Sequence, residues 1–139
     1  MIIGYTAGVY DMFHIGHLNL LKNAKKFCDY LIVGVSTDEV VEKNKNKKTI
    51  IPYKERVAII ESIKYVDKVV PQESYSIEGK IDAAKKNKIS IMFVGSDWKG
   101  TKKWNDIEKQ LLNIGVEVMY LDHTDGISST ILREKIKNI

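Results

Sequence analysis

The chain of 139 residues is poor in cysteine, proline and arginine, and it has no long apolar run. Its one thiol, Cys28, has no partner for an internal disulfide, which excludes the disulfide-rich secreted class. We interpret it as buried filler and not as a nucleophile. No run approaches the roughly 18 apolar residues of a membrane-spanning helix, and the first residues lack a signal-peptide pattern. We therefore expect a cytoplasmic protein with no membrane partner.

The residues that are present are typical of a globular protein. Hydrophobic residues make up 44% of the chain and charged residues 29%, both close to the usual values. A chain of this length is expected to form one domain, spanning residues 1–139. The net charge of +4 fits an anionic partner, although solvated surface lysines give the same charge.

Five short apolar runs predict β-strands. They are Met1–Thr6, Tyr30–Val35, Val66–Val70, Ile89–Val94 and Val116–Leu121. Between them, apolar residues recur three and four apart, as in helices, and Gly115 is expected to end one helix in a left-handed conformation. Strands that alternate with helices predict an α/β fold, a Rossmann-like doubly wound domain with a mainly five-stranded parallel sheet.

The polar and histidine-bearing segments follow predicted strands. Residues 8–17 follow the first strand, 36–38 the second, 95–98 the fourth and 122–130 the fifth. Ligands of doubly wound sheets bind beyond the carboxyl ends of the strands. We therefore expect these segments to form one site at one edge of the sheet.

The strongest motif is His14-Ile-Gly-His17, where the first helix begins. Helix N-terminal amides bind phosphate, and two imidazoles three residues apart can donate to its oxygens. Gly16 allows a nucleotide to approach the backbone closely. An isolated pair is equally compatible with a metal site or with two surface histidines. Its position after the first strand, with Gly8 upstream, favours phosphate binding.

A second phosphate-binding segment is expected before the last helix. Its residues are Gly126, Ile127, Ser128, Ser129 and Thr130, followed on the next turn by Arg133. A guanidinium can bind phosphate through two parallel hydrogen bonds. The two serines also suit a helix N-cap, but a cap does not require the glycine, three hydroxyls and an arginine together.

A lysine-rich loop is predicted at residues 42–48, with lysines at positions 43, 45, 47 and 48. Charge runs of this kind are most often solvated surface. Together with Arg56 on the next helix, the loop could instead close over a triphosphate as a cationic lid. Nucleic-acid binding is disfavoured by the absence of aromatics in the loop and by the 18 acidic residues of the chain.

Three acidic residues and one indole complete the candidates. Asp11 is compatible with a local turn, with a histidine partner or with a metal ligand, and Asp38 is ambiguous by itself. Asp97 and Trp98 lie in a glycine-flanked loop, where an exposed indole suits packing on an organic ligand. The alternatives for Trp98 are a partly buried core position and a subunit contact.

The segment from Gly8 to His17, together with Gly126–Thr130, resembles the signature of the H-x-G-H nucleotidyltransferase superfamily. Within it, the chain is most similar to the small bacterial glycerol-3-phosphate cytidylyltransferases, over essentially its full length. The supporting stretches are Ser36–Glu39, Tyr53–Arg56, Tyr65–Val69, Gly95–Gly100 and His123–Ser129.

The resemblance implies a role for each matching position, and it implies no metal ligand from the protein. The positions that match the catalytic group are His14, His17, Lys45 and Lys47. Those that match nucleotide and phosphate binding are Gly8, Val9, Tyr10, Gly16, Gly95, Asp97, Gly126, Ile127, Ser128, Ser129, Thr130 and Arg133. Those that match acceptor binding are Asp11, Asp38, Arg56, Trp98 and His123.

The reaction implied by the resemblance is attack of an alcohol phosphate on the α-phosphorus of CTP, with release of pyrophosphate. Mg²⁺ usually accompanies the CTP, members are typically homodimers, and the CDP-alcohol serves surface polymer, capsule or lipid synthesis. The attacking phosphate is already an anion near neutral pH, so positioning and charge neutralisation are sufficient without a strong general base.

Departures from the family pattern keep alternatives open. Val9 stands where many of these enzymes have threonine, and His123 where they have arginine. Ribitol, choline and ethanolamine phosphates therefore remain candidate acceptors. Residues 127–133 are also similar to the adenylyltransferase signature I-S-S-T-x-I-R, which keeps ATP as an alternative donor. A regulatory protein without catalysis and a nucleic-acid-binding module are the non-enzymatic alternatives.

Overall fold

The computed structural model describes residues 1–122 and 135–137. The strands are β1 (Ile3–Gly8), β2 (Tyr30–Ser36), β3 (Lys68–Gln72), β4 (Ile91–Gly95) and β5 (Glu117–Leu121). The α-helices within residues 1–122 are α1 (Ile15–Lys25), α2 (Asp38–Lys45), α3 (Tyr53–Glu61), α4 (Ile77–Lys86) and α5 (Lys102–Asn113), and a 3₁₀ turn spans Ser96–Trp98. In the described ranges, no helix has the length and apolar character needed to cross a membrane.

The five strands are parallel and lie in the order β3-β2-β1-β4-β5. The register of β1 on β2 runs from Ile3 opposite Tyr30 to Gly8 opposite Val35. The strand order reverses between β1 and β4, and a crevice forms beyond the carboxyl ends of the strands at such a point. The predicted fold class is confirmed, although β1, β3 and β4 each begin two residues later than predicted.

The sheet separates two hydrophobic cores, because successive side chains of a strand point to opposite faces. On one face α1 and α3 pack against a core that includes Leu21, Leu31, Val33, Val35, Ile60 and Phe93. On the other face α4 and α5 pack against a core that includes Tyr5, Ile32, Ala84, Met92, Trp104 and Leu111. The apolar run of β2 thus serves both cores, as a strand that is buried on both sides requires.

Cys28 behaves as the sequence suggests. The residue is partly buried against the core that α1 and α3 cover. Its thiol donates to the carbonyl of Ala24 at 3.5 Å. Burial raises the pKa of the thiol, which disfavours the nucleophilic thiolate.

The end of α2 determines where the lysines of residues 43–47 lie, and the end of α5 confirms the predicted left-handed glycine. The predicted loop at 42–48 is wrong in its first half, because α2 continues to Lys45 and ends at Asn46, which has a φ of 51°. Lysines in the last turn of a helix are stabilised by the helix dipole. At the end of α5, Gly115 has a φ of 84°, as predicted.

Candidate active site

Three of the four polar segments, residues 8–17, 36–38 and 95–98, contribute to one site at the carboxyl edge of the sheet, as predicted, and residues 123–130 of the fourth lie outside the described residues. A cavity of about 840 Å³ opens there, lined by residues that continue from β1 and β4. The predicted site residues in its lining are Gly8, Val9, Tyr10, Asp11, His14, Gly16, His17, Lys45, Lys47, Gly95, Asp97 and Trp98. Asp38 and Arg56 are not among the lining residues.

His14 and His17 form a stacked pair at the start of α1, with ring centroids 3.8 Å apart. His14 is the N-cap of the helix, and its Nδ1 accepts the amide hydrogen of Gly16 at 3.1 Å. The Nδ1 of His17 accepts the amide hydrogen of His14 at 3.2 Å. The imidazoles therefore make the reciprocal capping bonds that serine and glutamate usually make.

These hydrogen bonds determine which nitrogen carries the proton in each neutral ring. A ring nitrogen that accepts an amide hydrogen carries no proton, so each neutral imidazole has its proton on Nε2. Burial, together with the neighbouring His14, lowers the pKa of His17 to about 4. Burial also lowers the pKa of His14. Near pH 7 each ring is therefore a neutral donor, and within the described part of the chain the buried Nε2 of His14 has no partner.

The turn between β1 and α1 holds the histidines through strained backbone angles. Tyr10 and Met12 have φ values of 55° and 52°, in the left-handed region that costs energy for residues other than glycine. Tyr10 is buried, its ring centroid lies 5.4 Å from that of His17, and burial raises its pKa. A Cβ on Gly8 would lie 3.0 Å from the tyrosine ring. A side chain at position 8 would therefore require the tyrosine ring to shift by a few tenths of an ångström.

Arg56 is not at the surface of the cavity, which corrects its predicted contact with the acceptor or the triphosphate. The side chain has no exposed surface. Its Nη1 donates to the carbonyl oxygens of Val9 and Ser36, both at 2.7 Å. Its Nε donates to the carbonyl of Ile51 at 2.9 Å, and its Nη2 to Oδ1 of Asp38 at 2.6 Å. We call Arg56 with these four partners the Arg56 framework.

Asp38 is part of this framework, and its predicted contact with the acceptor stays a prediction. Its oxygens accept from Arg56, from the Thr49 hydroxyl at 2.9 Å and from the Tyr53 amide at 3.1 Å. Burial acts to raise the pKa of Asp38, but these three hydrogen bonds outweigh burial and hold the pKa below its ordinary value. The carboxylate is therefore ionised at neutral pH and joins the start of α2 to the start of α3.

Asp11 lines the cavity but is itself buried. Its two carboxylate oxygens accept the amides of Ile50 and Ile51 at 2.9 and 2.8 Å. Among its possible roles, the structure shows that Asp11 binds the backbone of the α2–α3 linker. Its contact with the acceptor stays a prediction.

Lys45 and Lys47 line the cavity, whereas Lys43 lines a neighbouring cleft. The Nζ of Lys45 lies 6.0 Å from the centre of the Tyr75 ring. Lys47 follows the end of α2 and is exposed. The structure thus places at the site the two lysines that the resemblance selects, and their contact with phosphate stays a prediction.

Lys80, Lys103 and Tyr75 also line the cavity, and sequence reasoning missed them. The Nζ of Lys80 donates to the carbonyl of Tyr75 at 2.9 Å and lies 5.6 Å from the Trp104 ring centre. Burial and the charge of Lys103 lower the pKa of Lys80. These residues belong to no motif. The one signal in the sequence was the length of chain between β3 and β4, which is sufficient for a helix that reaches the site.

Trp98 is exposed, with 46% of its surface accessible, which excludes the core alternative. Lys103 Nζ lies 5.9 Å from the centre of its ring. Asp97 precedes it in the 3₁₀ turn, and its Oδ1 lies 2.8 Å from where a Cβ on Gly95 would stand. An exposed indole at the cavity mouth can pack on an organic ligand, as expected from the sequence.

His123, Gly126, Ile127, Ser128, Ser129, Thr130 and Arg133 lie outside the described residues. Their roles in phosphate and acceptor binding therefore stay predictions.

Within residues 1–122 and 135–137, no three His, Cys, Asp or Glu side chains are grouped so that they could hold a metal ion. Asp11 already uses both oxygens on backbone amides. The Mg²⁺ that the resemblance implies, bound to the triphosphate oxygens of the nucleotide, stays a prediction.

The fold and the site define a class of protein. A parallel sheet with a switch point, neutral imidazole donors at a helix start and several lysines around one cavity are typical of nucleotide-binding α/β proteins that act on phosphate groups. The family described as cytidylyltransferase-like matches residues 5–135. The chain belongs to this family, and it is a nucleotidyltransferase.

Individual relatives agree with this family. The chain is 40% identical to the glycerol-3-phosphate cytidylyltransferase of Bacillus spizizenii over 96% of both chains. It is 35% identical to the FAD synthase of Pyrococcus horikoshii, covering 96% of this chain and 91% of that protein. Among solved structures, the lipopolysaccharide core biosynthesis protein of Thermoplasma volcanium superposes with a TM-score of 0.72 at 27% identity, covering 89% of this chain and 97% of that one.

Replacing the buried guanidinium is expected to destabilise the fold. Arg56→Met removes the guanidinium donor of three main-chain carbonyls and leaves the Asp38 carboxylate without its cationic partner, so it should lower the free energy of unfolding by about 3 kcal/mol or more. Lys54→Met, an exposed position on the same helix, should change it by less than about 0.5 kcal/mol. Urea unfolding of both variants measures the difference, and a loss below about 1 kcal/mol for Arg56→Met would contradict the framework role.

His17 is expected to make stability dependent on pH. Its folded pKa of about 4 lies below the roughly 6.5 of an unfolded histidine, so the unfolded chain binds the extra proton first. The stabilisation is complete above pH 6.5 and is lost as the pH falls towards 4, by about 2 kcal/mol between pH 7.5 and 5. His17→Asn keeps an acceptor for the His14 amide but does not titrate. Urea unfolding at the two pH values should show a correspondingly smaller loss for this variant, and equal losses would show that His17 is not buried as a neutral ring.

Proposed function

We propose that the protein transfers CMP from CTP to a small alcohol phosphate, with glycerol 3-phosphate as the first candidate, and releases pyrophosphate. The observation that carries the proposal is the single cavity that joins the H-x-G-H imidazoles to lysines from α2, α4 and α5. The similarity to a glycerol-3-phosphate cytidylyltransferase over nearly the whole chain supports the choice of substrates.

In this reaction an oxygen of the acceptor phosphate forms a bond to the α-phosphorus, and the bond from that phosphorus to the bridging oxygen of pyrophosphate breaks. Negative charge grows on the α-phosphate oxygens and on the leaving group. The Nε2–H groups of His14 and His17 are suited to donate to those oxygens, because their orientation is set before the ligand binds. As neutral rings the histidines would contribute oriented hydrogen bonds and no charge. Positive charge would come from the lysines and from Mg²⁺ that enters with CTP.

The two sides of the cavity suit two different substrates. The histidines belong to the face of the sheet that α1 covers, whereas Lys80, Lys103 and Trp98 come from segments on the α4 and α5 side. We assign the triphosphate to the histidine side with Lys45 and Lys47. The acceptor phosphate then binds on the Lys80 side, where an ammonium bonded to a carbonyl is held towards the ligand space.

Adenylyl transfer is the second candidate. The similarity to an archaeal FAD synthase favours it, as does the adenylyltransferase-like signature of residues 127–133. Ribitol, choline and ethanolamine phosphates remain the other acceptors. A homodimer in the cytoplasm that supplies surface polymer, capsule or lipid synthesis remains a prediction of the family resemblance.

The activity is tested by incubating the protein with CTP or ATP, Mg²⁺ and a panel of alcohol phosphates, with pyrophosphate release as the readout. We expect release with CTP and glycerol 3-phosphate, and a loss of at least about 100-fold in kcat for His17→Asn. Preference for ATP would select adenylyl transfer. No release with any donor and acceptor would refute both reactions.

Lys80 is expected to affect one substrate more than the other. Lys80→Met should raise the KM for glycerol 3-phosphate about tenfold, the effect of losing roughly 1.4 kcal/mol of binding, while the KM for CTP stays within about twofold. Lys85→Met, at an exposed position in the last turn of the same helix, is the matched control. Steady-state kinetics with each substrate varied gives the comparison, and a rise in the KM for CTP alone would reverse the assignment.

A further inference from the structure

The linker between α2 and α3 carries Lys47 and is anchored at both ends. At its start, the left-handed residue Asn46 ends α2. At its end, the amides of residues 50–51 donate to Asp11. Only residues 47–49 lie between these anchors, and the first two of them are exposed lysines. Asn46 fixes one side of Lys47, and the backbone freedom on its other side depends on what fixes the third residue.

Thr49 is fixed by its side chain. Its hydroxyl donates to Oδ1 of Asp38 at 2.9 Å, and the same oxygen accepts from Arg56 at 2.6 Å. A hydrogen bond to an ionised carboxylate is stronger than one between neutral groups. Thr49 is partly buried and lines the cavity, so the bond connects the lysine-bearing segment to the Arg56 framework beside the ligand space.

Chain geometry indicates how much this bond restricts Lys47. Lys47 is bonded directly to Asn46, so the end of α2 keeps its Cα about 3.8 Å away with or without the hydroxyl bond. With Thr49 fixed, two residues lie between the anchors, and without the bond three do. Ordering one residue costs about 1–2 kcal/mol of backbone entropy, so a linker with one more free residue holds the Lys47 ammonium in place less often.

Building on the proposed function, we propose that Thr49 is a positioning residue, which restricts Lys47 to the part of the cavity where the nucleotide phosphates bind. Thr49 acts through Lys47 and need not touch the substrate. The residue lies outside the motif positions of the family resemblance, and its role follows from the hydrogen bond to Asp38 alone.

The test compares Thr49→Val, which removes the hydroxyl at nearly constant shape, with Thr49→Ser, which keeps it. Thr49→Val should lower kcat/KM for CTP about three- to tenfold and leave the KM for the alcohol phosphate within about twofold. Thr49→Ser should stay within about twofold of the wild type. Calorimetric titration with CTP should show weaker binding for the valine variant, a readout that is independent of turnover.

A double-mutant cycle with Lys47→Met identifies the route of the effect. If Thr49 acts through Lys47, adding Thr49→Val to Lys47→Met should change kcat/KM by less than about 1.5-fold. An equal loss in both backgrounds would show that Thr49 itself contacts substrate, and wild-type kinetics and CTP binding in Thr49→Val would show that the bond is dispensable. Either result overturns the proposal while the proposed function stands. A wild-type protein that transfers no nucleotide overturns the proposed function first.

Discussion

The structure of the site depends on the hydrogen bonds made by one buried cation, the guanidinium of Arg56. A guanidinium without solvent contact is costly unless its donors find acceptors, and Arg56 finds them in three main-chain carbonyls and the carboxylate of Asp38. The carbonyls belong to the turn after β1, to the end of β2 and to the linker before α3. None of these three segments can shift alone without leaving a guanidinium donor unpaired. The histidine turn and the lysine-bearing linker are therefore joined into one unit by a single buried side chain.

Within that unit, orientation and charge are supplied by different residues. The Nδ1 atoms of His14 and His17 accept hydrogen bonds from backbone amides at the start of α1. Each neutral ring is therefore a donor through Nε2, and its orientation is fixed. Positive charge is carried by Lys45, Lys47 and Lys80, which line the same cavity. Reactions that move charge between phosphate oxygens require both contributions, because a donor that must reorient during the reaction stabilises the transition state less.

The sequence predicted the sheet, its carboxyl-edge site and the H-x-G-H motif, because strand periodicity and the switch-point rule depend on local pattern and topology alone. It failed where the role of a residue depends on burial. Arg56 lies next to a phosphate-binding motif, and a charged residue there suggests a ligand contact until its burial is known. Lys80 was missed for the opposite reason, since its helix carries no motif and only the packing of α4 on the sheet brings the lysine to the cavity.

The cavity is assembled from both sides of the sheet, with the histidines above one hydrophobic core and Lys80 and Trp98 on the side of the other. Substitutions at the lysine side therefore need not disturb the caps and carbonyls that hold the imidazoles. Because the two sides are separate, the sequences of the histidine side and of the lysine side can diverge at different rates. Under the proposed assignment of the two substrates, the histidine side can be retained while the opposite wall is remodelled for another acceptor, a route by which one small fold can give rise to enzymes for different alcohol phosphates.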